Sequence, residues 1–476
     1  MRSIFQGLSV SLLALAVAGC TTPNPTALDR PGDVPTAFTA PATTDSNAPL
    51  WPSLTWWDNF SSPELSALMA TAQKENLNIT IAALNVLEAE ANDTVAFSSL
   101  LPNLGLSASA RDGGTDTSKG NGSYSAGLAG SYVLDFFGAN RDRLIQAHET
   151  LRSTRYAQTV TGLTTESSVA TTYFEILSLR ERIAITRQNL DLARNLLAVV
   201  QNKFAAGVSS NLDVATETAT VAQTESTLPP LIEQEREARY SLAILLGLPP
   251  EGFDIKAQNL NDIVSPSVQA GLPSELLLRN PTVAEAEANL YASHANVDAA
   301  RAAFFPTISL SASGSSAASE IGSLFNPGTL AWSLGASLAQ TIFDGGAIKA
   351  HYDSAKAAQG IEIATYRNAV FTAFSTAESA LGSIDSVNKQ LDLIGQYEKA
   401  AAEAERISDL QYREGTIDIT TLIQAQQSLF NAQTTLSTTK LSRLTSNINL
   451  YIALGGGWDQ KSSDTAYKPQ LEWWPL

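Results

Sequence analysis

Few residues of this chain are equipped for covalent or metal chemistry, and one of them is placed by its neighbours. Cys20 is the only cysteine in 476 residues. It follows Val17-Ala18-Gly19, at the end of an apolar run from Leu8 to Ala18 that Arg2 precedes. A positive start, an apolar stretch of that length and a small-residue cleavage site make a secretory signal. A cysteine directly after the cut resembles the bacterial lipobox, whose thiol takes a diacylglycerol. The expected mature chain begins at an acylated Cys20, which anchors a protein to a bilayer without carrying it through. Thr21 in the next position, where an Asp would resemble a retention signal for the inner membrane, favours the outer membrane.

The remaining candidates for chemistry lead nowhere. His148, His294 and His351 are isolated, with no helical His pair and no Glu at metal spacing. No G-x-S-x-G elbow, phosphate loop or G-x-G-x-x-G occurs. Neither catalysis nor a bound metal or cofactor is expected. Acids outnumber bases 47 to 30, for a net charge of −17. Nucleic acid is excluded as a partner, because phosphate binding needs clustered Lys and Arg. Mean hydropathy is −0.02, and beyond the N-terminus no stretch reaches the ~18 apolar residues of a membrane helix.

The elements that position everything else come in two copies. Leu101-Pro102-Asn103-Leu104 is echoed 204 residues later by Phe305-Pro306-Thr307-Ile308. Gly207 is echoed by Gly415, and Leu246-Gly247 by Leu454-Gly455, both at an offset of 208. After a signal peptide (1–19) and a linker (20–60), the first copy spans 61–250. A connection (251–272), the second copy (273–457) and a tail (458–476) follow. The first copy predicts helices over 63–99, 141–204 and 208–246, with strands over 103–111 and 122–134. The second predicts helices over 281–304, 347–412 and 418–454, with strands over 307–314 and 330–342. A helix over 141–204 would be roughly 96 Å long at ~1.5 Å per residue. That exceeds an ordinary domain and demands a coiled coil or a tube. Val214, Val221 and Leu228 are seven apart, as are Leu422, Leu429 and Leu436, the spacing of a coiled-coil seam. Pro229-Pro230 must break or restart the helix that contains them.

The four strands alternate with period two. Leu104, Leu106, Ala108 and Ala110 share one face, as do Ile308, Leu310 and Ala312, while the opposite faces are rich in Ser and Gly. Runs of this length cross a bilayer as tilted strands, and Tyr124, Tyr132 and Trp332 suit its interfaces. Four strands cannot close a membrane barrel, and an open edge in lipid is not tolerated. The barrel must be shared between chains.

The order of these elements resembles the outer membrane efflux protein (TolC) family, and within it the NodT-type lipoproteins. The residues that carry the resemblance are Leu278-Arg279-Asn280-Pro281-Thr282-Val283, Ala286-Glu287, Ala299 through Leu310, Asp135-Phe136-Phe137-Gly138, Gly207 to Asp213-Val214, and the two Leu-Gly endings. Thr282 stands where the family usually has Asp. The resemblance implies a mainly α fold, an α-barrel tunnel of long helices completed by a small β part. Three chains would give four strands each to a twelve-stranded outer-membrane barrel. Such a homotrimer is the exit duct of a tripartite efflux system, supplied by an inner-membrane pump through a periplasmic adaptor protein. A duct for type I protein secretion, or a periplasmic coiled-coil spacer without a pore, are the other readings. The turns Ala206-Gly207-Val208-Ser209 and Glu414-Gly415-Thr416-Ile417 are expected to meet the adaptor. The periplasmic constriction is expected near Asp213, Asp418, Thr421 and Gln424, although the last two stand where several relatives carry acids.

Overall fold

The computed structural model describes residues 37–39, 53–112, 122–266 and 273–458. Cys20, the signal peptide, most of the linker and the tail beyond Trp458 lie outside the described residues.

Each copy opens on a helix interrupted at an asparagine. α1 (Pro63–Glu75) stops where Asn76 turns extended, and the Asn76 side chain then caps α2 (Leu77–Ser98). It accepts from the amides of Asn78 at 2.8 Å and Ile79 at 3.0 Å. In the second copy α6 (Pro273–Arg279) stops before Asn280, which caps α7 (Pro281–Ala302) through the amides of Thr282 and Val283. The single helix expected over 63–99 is therefore two. A side chain that satisfies two first-turn amides competes with continuing the helix.

β1 (Asn103–Arg111), β2 (Ser123–Leu134), β3 (Thr307–Ala318) and β4 (Leu330–Ala339) form one antiparallel sheet in the order β1-β2-β3-β4. β3 runs four residues past its expected end at 314, and β4 stops at Ala339, short of 342. The sheet passes into two helices of 67 residues each, α3 (Ala139–Ala205) and α8 (Ala347–Arg413). Each is about 100 Å long at 1.5 Å per residue. Both start from a glycine with positive φ, Gly138 and Gly346, beside a carboxylate that caps the new helix. Asp135 accepts from the amides of Asn140 and Arg141, and Asp344 from those of Gly346 and Ile348. Negative charge at a helix N-terminus is favourable. The amides of Ile348 and Gly346 hold the Asp344 carboxyl below its ordinary value.

After their turns the rods are answered by α4 (Asn211–Ser226) and α5 (Leu228–Leu245) in the first copy, and by α9 (Ile419–Ala453) in the second. Pro229 and Pro230 sit in the first turn of α5, where a missing amide costs nothing, so they restart the helix. Among the described residues no helix is long and apolar enough to cross a membrane.

The main core lies halfway along α3. Trp56 and Phe60, on a short 3-10 turn, are fully buried. Trp56 stacks on Tyr451 of α9 with ring centroids 5.7 Å apart, and Phe60 meets Phe174 of α3 at 5.1 Å. Arg180 fastens the connection between the copies to this core. It binds Glu235 and Asp254 and donates to the carbonyls of Ile255 and Ala257. Glu64 takes the amides of Lys256 and Ala257 from the other side.

The closing glycine of each copy seats against the opening helix of the same copy. Gly247 and Gly455 have φ of +70° and +73°. A Cβ on either would collide with a backbone carbonyl oxygen, that of Glu75 or of Arg279. Those carbonyls directly precede Asn76 and Asn280. The Asn76 side chain adds a bond to the Leu245 carbonyl at 2.7 Å.

Candidate functional site

The chain offers two functional ends. At the sheet end the register aligns the apolar positions of all four strands. Leu106, Leu128, Gly314 and Trp332 form one row across the sheet, and Leu104, Gly130, Ala312 and Leu334 the next. Tyr124 and Tyr132 lie on the same face near opposite ends of β2, and Trp332 lies in the rows between them. This face is exposed on the isolated chain, with Leu106, Trp332 and Leu334 each about three-quarters or more accessible. The other face carries hydroxyls that bond in pairs across the strands. Ser109 meets Ser125 at 2.8 Å, Ser309 meets Ser337 at 2.9 Å and Ser313 meets Ser333 at 2.8 Å. Paired hydroxyls are satisfied yet remain wettable, so this face suits water while its reverse suits lipid. β1 and β4 each have one edge without a neighbouring strand in this sheet. Phe137 and Phe305 stack 4.8 Å apart where the sheet meets the helices.

At the other end the rods turn back on themselves twice, by the same geometry. Gly207 and Gly415 both have φ +75°. The amide of Val208 reaches back to the Lys203 carbonyl at 2.8 Å, and that of Thr416 to the Gln411 carbonyl at 2.9 Å. These are Schellman caps, which need a left-handed residue that glycine supplies without strain. Ala206, Val208, Glu414 and Thr416 are exposed, while Ser209 and Ile417 are half-buried. Nothing lies within 4 Å of a Cβ built on either turn glycine. The surface is therefore open to a partner.

The acids at these tips are occupied as helix caps. Asp213 accepts from the Ser210 amide and the Ser209 hydroxyl, both at 2.8 Å, while its own amide donates to the Ser210 hydroxyl. Asp418 caps α9 through the amide and hydroxyl of Thr421, at 2.8 and 2.9 Å. The Ser210 amide holds the Asp213 carboxyl below its ordinary value, and the Thr421 amide does the same for Asp418. Both carboxyls are therefore ionised at neutral pH. Thr421 and Gln424 are exposed. Beneath them a small core joins the four helix ends, from Leu196 and Val200 of α3, Tyr412 of α8, and Ile419 and Leu422 of α9, with Val214 of α4 packed against it.

Two tip residues escape a search for turn glycines and acids. Phe204 and Leu212 are exposed on either side of Val208, which is itself 75% accessible. The three are four residues apart and make the first tip apolar. That spacing was present in the sequence. Among the described residues no cluster of His, Cys, Asp and Glu could hold a metal ion. His294 is half-buried and shares a 2.8 Å bond with Gln359.

A family profile described as outer membrane efflux protein matches residues 68–248 and 272–456. The chain is 38% identical over 426 residues to the pyoverdine export outer membrane protein OpmQ of Pseudomonas aeruginosa, covering 87% of this chain and 89% of that protein. It is 29% identical over 407 residues to the cation efflux system protein CusC of Escherichia coli, covering 85% and 88%. The crystal structure of the open state of the Neisseria gonorrhoeae MtrE outer membrane channel has a TM-score of 0.81, with 28% identity over 89% of this chain and 96% of that one.

Proposed function

The chain belongs to the outer membrane efflux protein family and is an outer-membrane efflux channel, and from that premise we propose how it conducts. Three copies close a twelve-stranded barrel, edge β4 of one chain meeting edge β1 of the next. Their long helices continue the bore as a tube across the periplasm. An inner-membrane pump and a periplasmic adaptor load it at the turns around Gly207 and Gly415. Diacylglycerol on Cys20 tethers each chain to the same membrane.

One observation carries this reading. The sheet has a continuous apolar face, a hydroxyl-lined reverse and two unpaired edges, and it is mounted on two rods of 67 residues. In lipid an unpaired edge leaves backbone groups without partners at several kcal/mol each, so only closure with other copies is stable there. The relatives' named cargoes differ, pyoverdine in one case and cations in another, which supports a duct whose cargo is chosen by its pump. Repeated threefold, Asp418 puts ionised carboxylates beside Asp213, Thr421 and Gln424 near the narrow entrance, an arrangement that favours cations.

Native mass spectrometry of the protein extracted from outer membranes in mild detergent tests the assembly. The expected species is a trimer whose chains begin at Cys20 and are heavier by their acyl groups. A monomer would leave four strands unable to close and would refute the shared barrel. Asp418→Asn keeps a capping side chain, and bilayer recordings should show weaker cation preference. Unchanged selectivity would remove Asp418 from the entrance.

A further inference from the structure

A carboxylic acid is sealed inside the tip core with nothing to bind. Glu217 lies one turn beyond Val214 on α4 and is fully buried. Neither of its side-chain oxygens has a hydrogen-bond partner. A buried, unpaired carboxylate is costly, and such a group takes up a proton instead of ionising. Burial pushes the Glu217 carboxyl up to about 7.

The fold does not demand an acid here. At the offset of 208 that relates the copies, Val214 corresponds to Leu422 and Glu217 to Ala425. Leu422 is buried in the tip core and Val214 packs against it, so the two seams are in the same register. The second copy fills the position with a methyl group, and the first with an acid.

Among the described residues, the elements at this end offer no fixed counter-charge. α3 brings Lys203, whose ammonium lies over the Tyr412 ring at 4.0 Å, and Arg194, which is bound to Glu225 of α4 at 3.0 Å. α8 brings Tyr412, close enough to feel the charge of Glu217, with Glu405 and the Arg413–Asp409 pair. α9 brings Asp418, which is spent on its own cap, and α4 itself brings Asp213, likewise spent.

We propose that Glu217 is a proton-operated latch of the tube tips. With the carboxyl neutral, α4 closes against α3, and its Val214 against the small tip core. Ionisation makes that packed position untenable and loosens the tip. That this loosening widens a conducting entrance rests on the reading of the turns as the narrow end of the duct.

The test is hydrogen exchange of the assembled wild-type protein between pH 5.5 and 8.5, with rates divided by their intrinsic values. Glu217→Gln and Glu217→Ala are measured alongside, the alanine being the residue of the sister copy. In the wild type, protection across 211–226 should fall by up to about tenfold per pH unit above 7, the limit for one proton. Both variants should be flat over that range. A flat wild type, or the same fall in either variant, overturns the latch. Conductance with pH varied on the tip side separates the two claims. If exchange responds to Glu217 and conductance does not, the latch stands and the turns are not the constriction.

Discussion

The clasp between the ends of each copy gives the sharpest test of how the fold is held. Gly455→Ala puts a Cβ on a residue at φ +73°. An L-residue pays about 1–2 kcal/mol for that conformation. The new methyl would also overlap the Arg279 carbonyl oxygen and lie 2.9 Å from its carbon. The same oxygen accepts from the Trp458 indole at 2.5 Å, so it has little room to withdraw. Forcing an atom into a packed contact adds about 1–3 kcal/mol. The expected loss is therefore about 2–5 kcal/mol. Gly247→Ala should behave alike, since its Cβ would overlap the Glu75 carbonyl. The controls are Gly207→Ala and Gly415→Ala, at φ +75° but with nothing within 4 Å. They should lose only the conformational part, about 1–2 kcal/mol. Large assemblies often unfold irreversibly, so the assay is the midpoint of helix loss by circular dichroism at one fixed heating rate. Both clasp variants should melt clearly below both tip variants. If all four lose the same amount, the close approach contributes nothing and the reasoning fails.

Three further outcomes follow from single side chains. Glu166 is buried and burial pushes its carboxyl up to about 7, so the folded chain holds a proton there that the unfolded chain releases. Its contribution to stability falls as pH rises from about 4.5 to about 7, by up to about 3 kcal/mol; Glu166→Gln should raise the melting midpoint at pH 8 and leave it nearly unchanged at pH 4. Arg180→Met strands the partly buried Glu235 with Arg239 alone and releases the carbonyls of Ile255 and Ala257. The cost should be about 3–5 kcal/mol, with new proteolytic cleavage between 251 and 266 in limited digestion. Val208→Ser with Leu212→Ser should leave the melting midpoint within the scatter of surface changes, about 0.5 kcal/mol. Export by intact cells should nonetheless fall, if the apolar tip is a docking surface; unchanged export would refute that role.

The long elements were legible because they obey strict periods. Alternation along Leu104–Ala110 or Leu330–Leu338 placed the strands, and the echo of Gly207 in Gly415 placed the tips. Boundaries set by side-chain capping were harder. Asn280 reads as a cap because Pro281 follows it, whereas Asn76 is followed by Leu77 and lies inside an otherwise helical pattern. Only its position 204 residues before Asn280 marks it. The tip acids were visible, but their work was not. A carboxylate six residues after a glycine looks free to line a bore until the bonds of Asp213 to Ser209 and Ser210 are seen. Glu217 was invisible for the opposite reason, since an acid on an amphipathic helix ordinarily faces water and only tertiary packing buries it.

Comparing the copies separates what the fold requires from what it does not. At the offset of 208, Ser210 corresponds to Asp418 and Asp213 to Thr421. Each tip therefore keeps one acid in the first turn of its returning helix: Asp418 at the N-cap takes the amide three residues on, and Asp213 three residues on takes the N-cap amide. Capping accounts for the presence of an acid in each first turn. It does not account for Phe204, Val208 and Leu212 standing where the second copy has Tyr412, Thr416 and Thr420, nor for Glu217 standing opposite Ala425. Those differences leave the backbone geometry of the two turns alike, down to a φ of +75° in each. In a threefold assembly they make six tips of two kinds, one apolar and one polar, with the buried Glu217 contributed by the first copy alone. A partner that docks there would meet a surface with three-fold, not six-fold, chemical symmetry.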